Sequence, residues 1–438
     1  MRSPVPESAL PSITLSPEEE RQYEAEVEAV IAETLRVQRR FAADGSTLEK
    51  KHWKTVRSKE DFHVYKSTKS SRRTTTAVNL NATLGPTVGS IRNVNLSSNS
   101  SSSSDDDDGI VASIKDPNVP LLIASGRLEG HLDDAMFACF AGDDLSWRQR
   151  STYLKDRFAE ARILATIQAP TPENPFNFLG IKWFMKEQPP LVGSFVQPRD
   201  FLILEASGTS VDEMGERYGY YLVHSIAHPK VPAFNELNII RSVVSLCLVS
   251  RQVTPETVHT FARGFSDPRG DLIESIAVSH TADTLSAFMN AMEGSYVKKL
   301  TWMIQEAERR RELERQYFIS PPGMEECDLC QKPGGKNLTT CRVCAQTICV
   351  RCTVTRKILV TDTETDSLND CTAPFCFACV LAAKTRPARE VAIATSVLEA
   401  VRRQPEKAKA TPDRPGSMLY TSETRPQLSK STTGVVLY

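Results

Sequence analysis

The sequence predicts an α+β chain in which a curved antiparallel sheet grips a long C-terminal helix and a small metal-held module follows. Three observations predict it. Between residues 161 and 265, extended runs rich in branched and aromatic residues are separated by Pro, Gly and Asn, the pattern of an antiparallel meander. Leu285, Phe288, Met289, Met292, Tyr296, Leu300, Met303, Ile304 and Ala307 then recur at helical spacing. Finally, eight cysteines form four CxxC pairs between residues 327 and 379.

Composition narrows the classes of function. At 438 residues the chain has room for about three domains of ~150 residues each. With 53 Lys+Arg against 54 Asp+Glu, the formal charge of -1 supplies no bulk attraction to nucleic acid or to an anionic membrane, and no nucleic-acid partner is expected. The first 20 residues lack a basic stretch followed by an apolar one, so they do not read as a secretory signal. The most apolar stretch, residues 238–250, contains Arg241 and falls short of the ~20 residues of a membrane span. A cytoplasmic protein, peripheral at most on endosomal or other membranes, is the expectation. Nine of the eleven cysteines cluster between residues 327 and 379, which in a reducing compartment points to metal and not to disulfides. Cys139 and Cys247 lie in apolar surroundings and read as buried packing residues.

In chain order, residues 1–15 read as disordered. Ser16 as N-cap, Pro17 at the first helical position and Glu19 closing a capping box open a helix. Its apolar face carries Tyr23, Val27, Val30, Ile31, Leu35 and Phe41. Phe62 and Val64 alternate as in a strand. Residues 67–118, rich in Ser, Thr and Asn and containing the acidic run Asp105 to Asp108, cannot bury enough apolar surface to offset their ordering entropy and read as a disordered insertion. Order resumes with a strand from Leu121 and a helix over residues 131–140, then helical text over 144–158. Extended runs follow near residues 178–185, 195–205, 218–226, 239–249 and 258–265. Residues 385–438 are polar and Pro-containing and read as a mostly disordered tail; residues 381–438 carry ten basic and five acidic side chains.

At Arg199-Asp200-Phe201, at residues 220–224 running into Ala227-His228-Pro229 with Pro232 soon after, and at Asp267-Pro268-Arg269-Gly270 before the long helix, the sequence resembles the START lipid-transfer family. The likeness spans residues 18–316, with 67–118 as an insertion, in a domain set at residues 16–316. It implies a helix-grip fold and a hydrophobic cavity between sheet and terminal helix for one lipid or sterol. The residues alone leave open whether that space is a cavity or a filled core, since both are lined by the same residue types. His224 and His228 read as hydrogen-bonded structural histidines, and no HExxH, GxSxG or GxxxxGK[ST] string occurs. No enzymatic activity is expected.

The pairs Cys327/Cys330, Cys341/Cys344, Cys349/Cys352 and Cys376/Cys379 have the spacing at which two thiolates grip one zinc, and four pairs make two closed four-thiolate sites. Metal would supply most of the folding energy of so short a segment. The run CRVCAQTICVRC resembles the FYVE finger, with Ala345 where that family has glycine. The resemblance implies a cross-brace: Cys327, Cys330, Cys349 and Cys352 on one Zn2+, and Cys341, Cys344, Cys376 and Cys379 on the other. The basic motif before the third cysteine is replaced by Asn337-Leu338-Thr339-Thr340, and Pro374-Phe375-Cys376 stands in place of R-V-C. Residues 321–380 hold six basic and seven acidic side chains, which makes no phosphate-attracting patch. Cys371 has no CxxC partner and reads as a spare thiol. The cysteine spacing disfavours a RING-type ubiquitin ligase.

The functional expectation is a non-catalytic lipid-binding or membrane-associated adaptor, with a zinc finger over residues 321–384 that lacks the usual phosphoinositide motifs. The alternative is a protein-interaction scaffold with a filled core and a finger that binds protein. Lipid-contacting residues are not assigned.

Overall fold

The structure, a computed structural model, describes residues 5–68, 109–154, 158–186, 196–314, 326–333, 337–361 and 368–397. Helix α1 (Pro17–Ala43) starts where its signals place it: Ser16 Oγ accepts from the Glu19 N–H and Glu19 Oε2 accepts from the Ser16 N–H. Strands β1 (Trp53–Lys59), β2 (Phe62–Ser67) and β3 (Leu122–Glu129) follow, with the short helix α2 (Ile110–Ser113) between the last two. Then come helices α3 (Leu132–Cys139) and α4 (Asp144–Tyr153). Strands β4 (Phe158–Gln168), β5 (Phe178–Lys186), β6 (Arg199–Val211), β7 (Arg217–Ser225), β8 (Ile240–Arg241), β9 (Val243–Thr254) and β10 (Thr257–Asp267) complete the large sheet. Its order is β1-β2-β3-β10-β9-β7-β6-β5-β4, antiparallel throughout except that β8 pairs in parallel with β6.

The two faces of this sheet carry different cores because strand side chains alternate. Leu202, Leu204, Leu222, Cys247 and Val249 point to one face and pack under Val27, Val30, Ile31 and Leu35 of α1. On that face Arg263 is paired with Glu33, both buried, and Glu33 Oε2 also accepts from the Val111 N–H at 3.3 Å, tying α2 to α1. The opposite parity, Phe201, Ile203, Val244, Leu246 and Leu248, faces the terminal helix. Within β10, Gly264 has φ +155°, and a Cβ built there lies 1.9 Å from the Ser245 carbonyl oxygen of the neighbouring strand.

The C-terminal helix is two helices. Residues Glu274–Ala287 form α5 and Ala291–Glu314 form α6, separated by a 3-10 turn at Phe288–Asn290. The cysteine module contributes two hairpins, β11 (Leu338–Thr340) with β12 (Thr347–Cys349) and β13 (Thr353–Thr361) with β14 (Leu368–Cys376), then α7 (Phe377–Thr385). The chain then returns as α8 (Ala388–Ala392), whose Val391 and Ala392 are buried against the main domain.

Several expectations need correction. The segment expected to be disordered before Ser16 packs from Val5 onward: Val5, Leu10 and Ile13 are buried, and the Ile13 N–H donates to the Leu164 carbonyl at 2.7 Å. Residues 69–108 of the expected insertion lie outside the described residues. Its flanks are folded, with Ser67 in β2 and α2 seated on α1 by Val111. Strand β4 was not anticipated, and Phe158, expected to end a helix, begins it. The tail expected to be mostly disordered folds as far as Val397, because Ala388, Val391 and Ala392 find apolar partners on α3 and α6. Gly264→Ala is expected to cost about 3 kcal/mol, since the added methyl meets the Ser245–Leu246 backbone of β9; urea denaturation of the full chain measures it.

Candidate functional site

The face of the sheet toward α5 does not close. A cavity of about 350 Å³ remains between β5, β6, β7 and β9 on one side and α5 on the other, with α4 across one end. Alternation supplies the sheet wall: Phe201, Ile203 and Glu205 from β6, Tyr221 and Val223 from β7, Val244, Leu246 and Leu248 from β9. The lid is a stripe of one helix, Ile276, Ala277, His280, Thr281, Thr284 and Ala287, small and partly polar side chains at helical spacing. At the end nearest β4, Phe184 stacks on Phe201 with centroids 4.8 Å apart, and Phe158 meets Phe184 at 4.8 Å and Trp147 at 5.2 Å.

Below this apolar space sits a buried ionic cluster. Arg150 of α4 donates from Nη1 and Nη2 to the two oxygens of Glu205, both at 2.7 Å, and Lys182 of β5 donates to Glu205 Oε1 at 2.6 Å. Arg150 Nη1 and Lys182 Nζ also donate to the Cys139 and Ala141 carbonyls. The Tyr221 hydroxyl donates to Glu205 Oε2 at 3.1 Å, and the Lys182 ammonium lies over the Phe178 and Trp147 rings. Arg150 is 4% exposed, Lys182 0% and Glu205 1%. Burial would raise the Glu205 carboxyl, but Arg150 and Lys182 outweigh it and hold it down at about 2. Burial brings the Lys182 amine down to about 8 against the attraction of Glu205, with the Arg150 charge adding to the fall. Arg150, Glu205 and Tyr221 line the cavity.

These residues were not singled out from sequence. The signal was present: Glu205 follows Phe201 and Ile203 at inward parity, and Lys182 shares the parity of Phe178 and Phe184. An acid and a base at inward positions of neighbouring apolar strands need each other. The two sequence marks at Arg199-Asp200 and Asp267-Pro268-Arg269-Gly270 meet in space, where Arg199 donates from Nε to the Pro268 carbonyl at 3.0 Å and from Nη2 to that of Arg269 at 3.2 Å. Asp200 is buried and accepts from Trp183 Nε1 at 2.7 Å and from Arg241. His224 lies away from the cavity, beside Ser245 Oγ at 2.8 Å and Glu26 at 3.1 Å. His228 Nδ1 accepts from the Lys230 N–H.

In the cysteine module, Cys327, Cys330, Cys349 and Cys352 gather as one group, and Cys341, Cys344, Cys376 and Cys379 as a second. Sulfur atoms within each group lie within 4.8 Å of one another, so the pairs interleave, first with third and second with fourth. Burial opposes charge on Cys327, yet N–H groups of Cys330, Cys349 and Leu329 outweigh it and bring that thiol down to about 6. Burial and the neighbouring sulfurs push Cys352 up to about 12. Four thiols so placed do not ionise together without a cation among them. Cys371 is exposed and belongs to neither group. The module's apolar core is completed from outside: Phe375, Ile348, Val380 and Ala383 pack with Tyr296, Val297, Leu300 and Ile304 of α6.

No family model matches the chain, and no curated protein matches it. Among solved structures it is similar to human StAR-related lipid transfer protein 5, at 13% identity over 63% of this chain and 97% of that one, with a TM-score of 0.39. Human STARD10 gives 11%, 70%, 84% and 0.33 for the same quantities, and the human StarD13 (DLC2) lipid transfer and protein localization domain gives 12%, 60%, 95% and 0.33.

Glu205→Gln leaves two buried cations without their carboxylate and is expected to cost about 3–5 kcal/mol in a denaturant titration. The Glu205 contribution is fully present above its ordinary pKa of 4.5 and is lost as pH falls toward about 2. Ala345, where the resembled family has glycine, sits at φ 62°. Ala345→Gly should therefore stabilise the metal-loaded chain by about 1 kcal/mol, read as a raised melting temperature.

Proposed function

We propose that the chain is a non-catalytic lipid-binding adaptor that holds one amphiphile between the sheet and α5, polar end down on Arg150. The observation that carries this reading is the apolar cavity of about 350 Å³ standing directly on a buried cluster with two cations and one carboxylate. That volume is near the lower end of the ~300–1,000 Å³ range of ligand pockets, room for one acyl chain or one sterol-sized skeleton. It speaks against the filled-core scaffold. Arg150 lines the cavity, and its bonds to Glu205 and to the Cys139 carbonyl run from Nη1 and Nη2. Asp143 and Lys298 act on the cluster from outside with opposite signs. The surplus of one positive charge favours a head that brings a negative charge, carboxylate or phosphate, over a neutral hydroxyl.

Each cysteine group would hold one Zn2+. A Zn–S bond of about 2.3 Å in tetrahedral geometry places sulfurs about 3.8 Å apart. The separations of 3.7 Å between Cys330 and Cys349 and 3.8 Å between Cys344 and Cys376 support that occupant. The metals would be structural, all four positions of each being filled by thiolate. The finger, with Leu338–Thr340 forming a strand where the resembled family carries its basic motif, is proposed as a scaffold with little phosphoinositide affinity. The protein is proposed to be cytoplasmic. No described helix is long and apolar enough to cross a membrane.

Fluorescence titration of the full chain with a polyene fatty acid and with its methyl ester tests the cavity. Saturable binding of the acid is expected, about tenfold tighter than the ester, with Ile203→Trp abolishing both and Lys182→Met narrowing the difference. No saturable binding, or unaltered binding in a folded Ile203→Trp protein, would contradict the reading. In liposome sedimentation, phosphatidylinositol 3-phosphate is expected to recruit no more protein than neutral vesicles do; selective recruitment would contradict the scaffold role of the finger.

A further inference from the structure

The two halves of the terminal helix are held very differently. Helix α5, the cavity lid, buries only Val278, Thr281, Ala282 and Leu285. Its ion pairs are solvent-accessible, Glu274 with Lys66 at 3.0 Å and Asp283 with Arg57 at 2.5 Å, and such pairs contribute little. Its N-cap residue Ile273 makes no capping bond and is 65% exposed.

Helix α6 is clamped on both sides. Toward the main domain, Ser295 Oγ donates to Asp134 at 2.6 Å, and Lys298 donates to the Phe137 and Phe140 carbonyls at 2.7 and 2.8 Å, capping α3. Toward the cysteine module, Lys299 donates to the Lys384 and Arg386 carbonyls at 3.2 and 3.0 Å, capping α7, while pairing with Asp134 at 2.8 Å. Arg311 donates to the Arg342 and Val343 carbonyls, and Arg342 pairs with Glu308. Between the halves lies the 3-10 turn at Phe288–Asn290, whose Phe288 forms part of the cavity wall. A 3-10 interruption inside a helix is a place where the axis bends at small cost.

We infer that the cysteine module is the fixed post of this lid: its metal-bound state holds α6 in place, and metal loss frees the α5–α6 joint and speeds exchange of the cavity's ligand. The path is short. Cys376 and Cys379 open α7, α7 ends on Lys299, and Lys299 stands in α6 three turns from Phe288. After α7 the chain bolts back onto the main domain, where Arg389 Nη2 donates to the Pro172 and Glu173 carbonyls, both at 2.7 Å. The module is thus a brace between two parts of one body. This inference rests on the proposed cavity and metal sites.

Amide hydrogen exchange of the full chain, read by mass spectrometry with and without chelation of its metals under reducing conditions, tests it. Amides of residues 276–300 are expected to exchange at least about tenfold faster after chelation, with residues 243–267 of the sheet unchanged, and bound polyene fatty acid should dissociate faster by a similar factor. Loss of protection confined to residues 338–385 would overturn the inference. Lys299→Met, which leaves all eight cysteines in place, should accelerate exchange over residues 276–300 severalfold at unchanged metal content; unchanged exchange there would overturn it too. If the untreated protein binds no fatty acid, the cavity reading falls, while the exchange result still decides the coupling.

Discussion

Two positive side chains share one buried carboxylate, and the domain is arranged around that pairing. Glu205 draws Arg150 from α4 and Lys182 from the neighbouring strand to a point where all three are removed from solvent. Isolated, each would be too costly to bury; together, with the Cys139 and Ala141 carbonyls and the Tyr221 hydroxyl, they are held. The cluster pins α4 across the end of the sheet, and so prevents the sheet and α5 from closing on each other there. An apolar space with a charged floor is the geometric consequence, and the proposed function follows from that floor.

What the sequence made legible was local. A capping box marked the start of α1 because its two hydrogen bonds join residues three apart. Ligand spacing named all eight clustered cysteines, because CxxC is itself a local geometry. The strands from β5 to β10 stood out because burial of both sheet faces made them strongly apolar.

What escaped was decided by tertiary partners. Helix α5 lacks a clean apolar stripe because its inner face covers a cavity and carries Ala277, His280, Thr281 and Thr284. Strand β4 is a sheet edge whose Glu160 and Arg162 dilute its alternation. The cluster of Arg150, Lys182 and Glu205 joins residues 23 to 55 positions apart. Residues 388–397 read as tail because their few apolar side chains matter only once α3 and α6 offer a groove.

The cysteine module changes meaning in the same way. As text it is a finger that folds around metal; as structure it borrows Tyr296, Val297, Leu300 and Ile304 for its core and returns α8 to the main domain. The cavity and the two cysteine groups therefore sit against the two halves of the interrupted C-terminal helix, α5 and α6. The account stands most directly on what the intact protein contains, and native mass spectrometry of the full chain purified from cells counts it. The account predicts the mass of the chain plus two zinc ions plus one single-chain or sterol-sized amphiphile, the last displaced by added fatty acid. A spectrum of metal-loaded chain that carries no amphiphile, and takes up none when fatty acid is added, would contradict it.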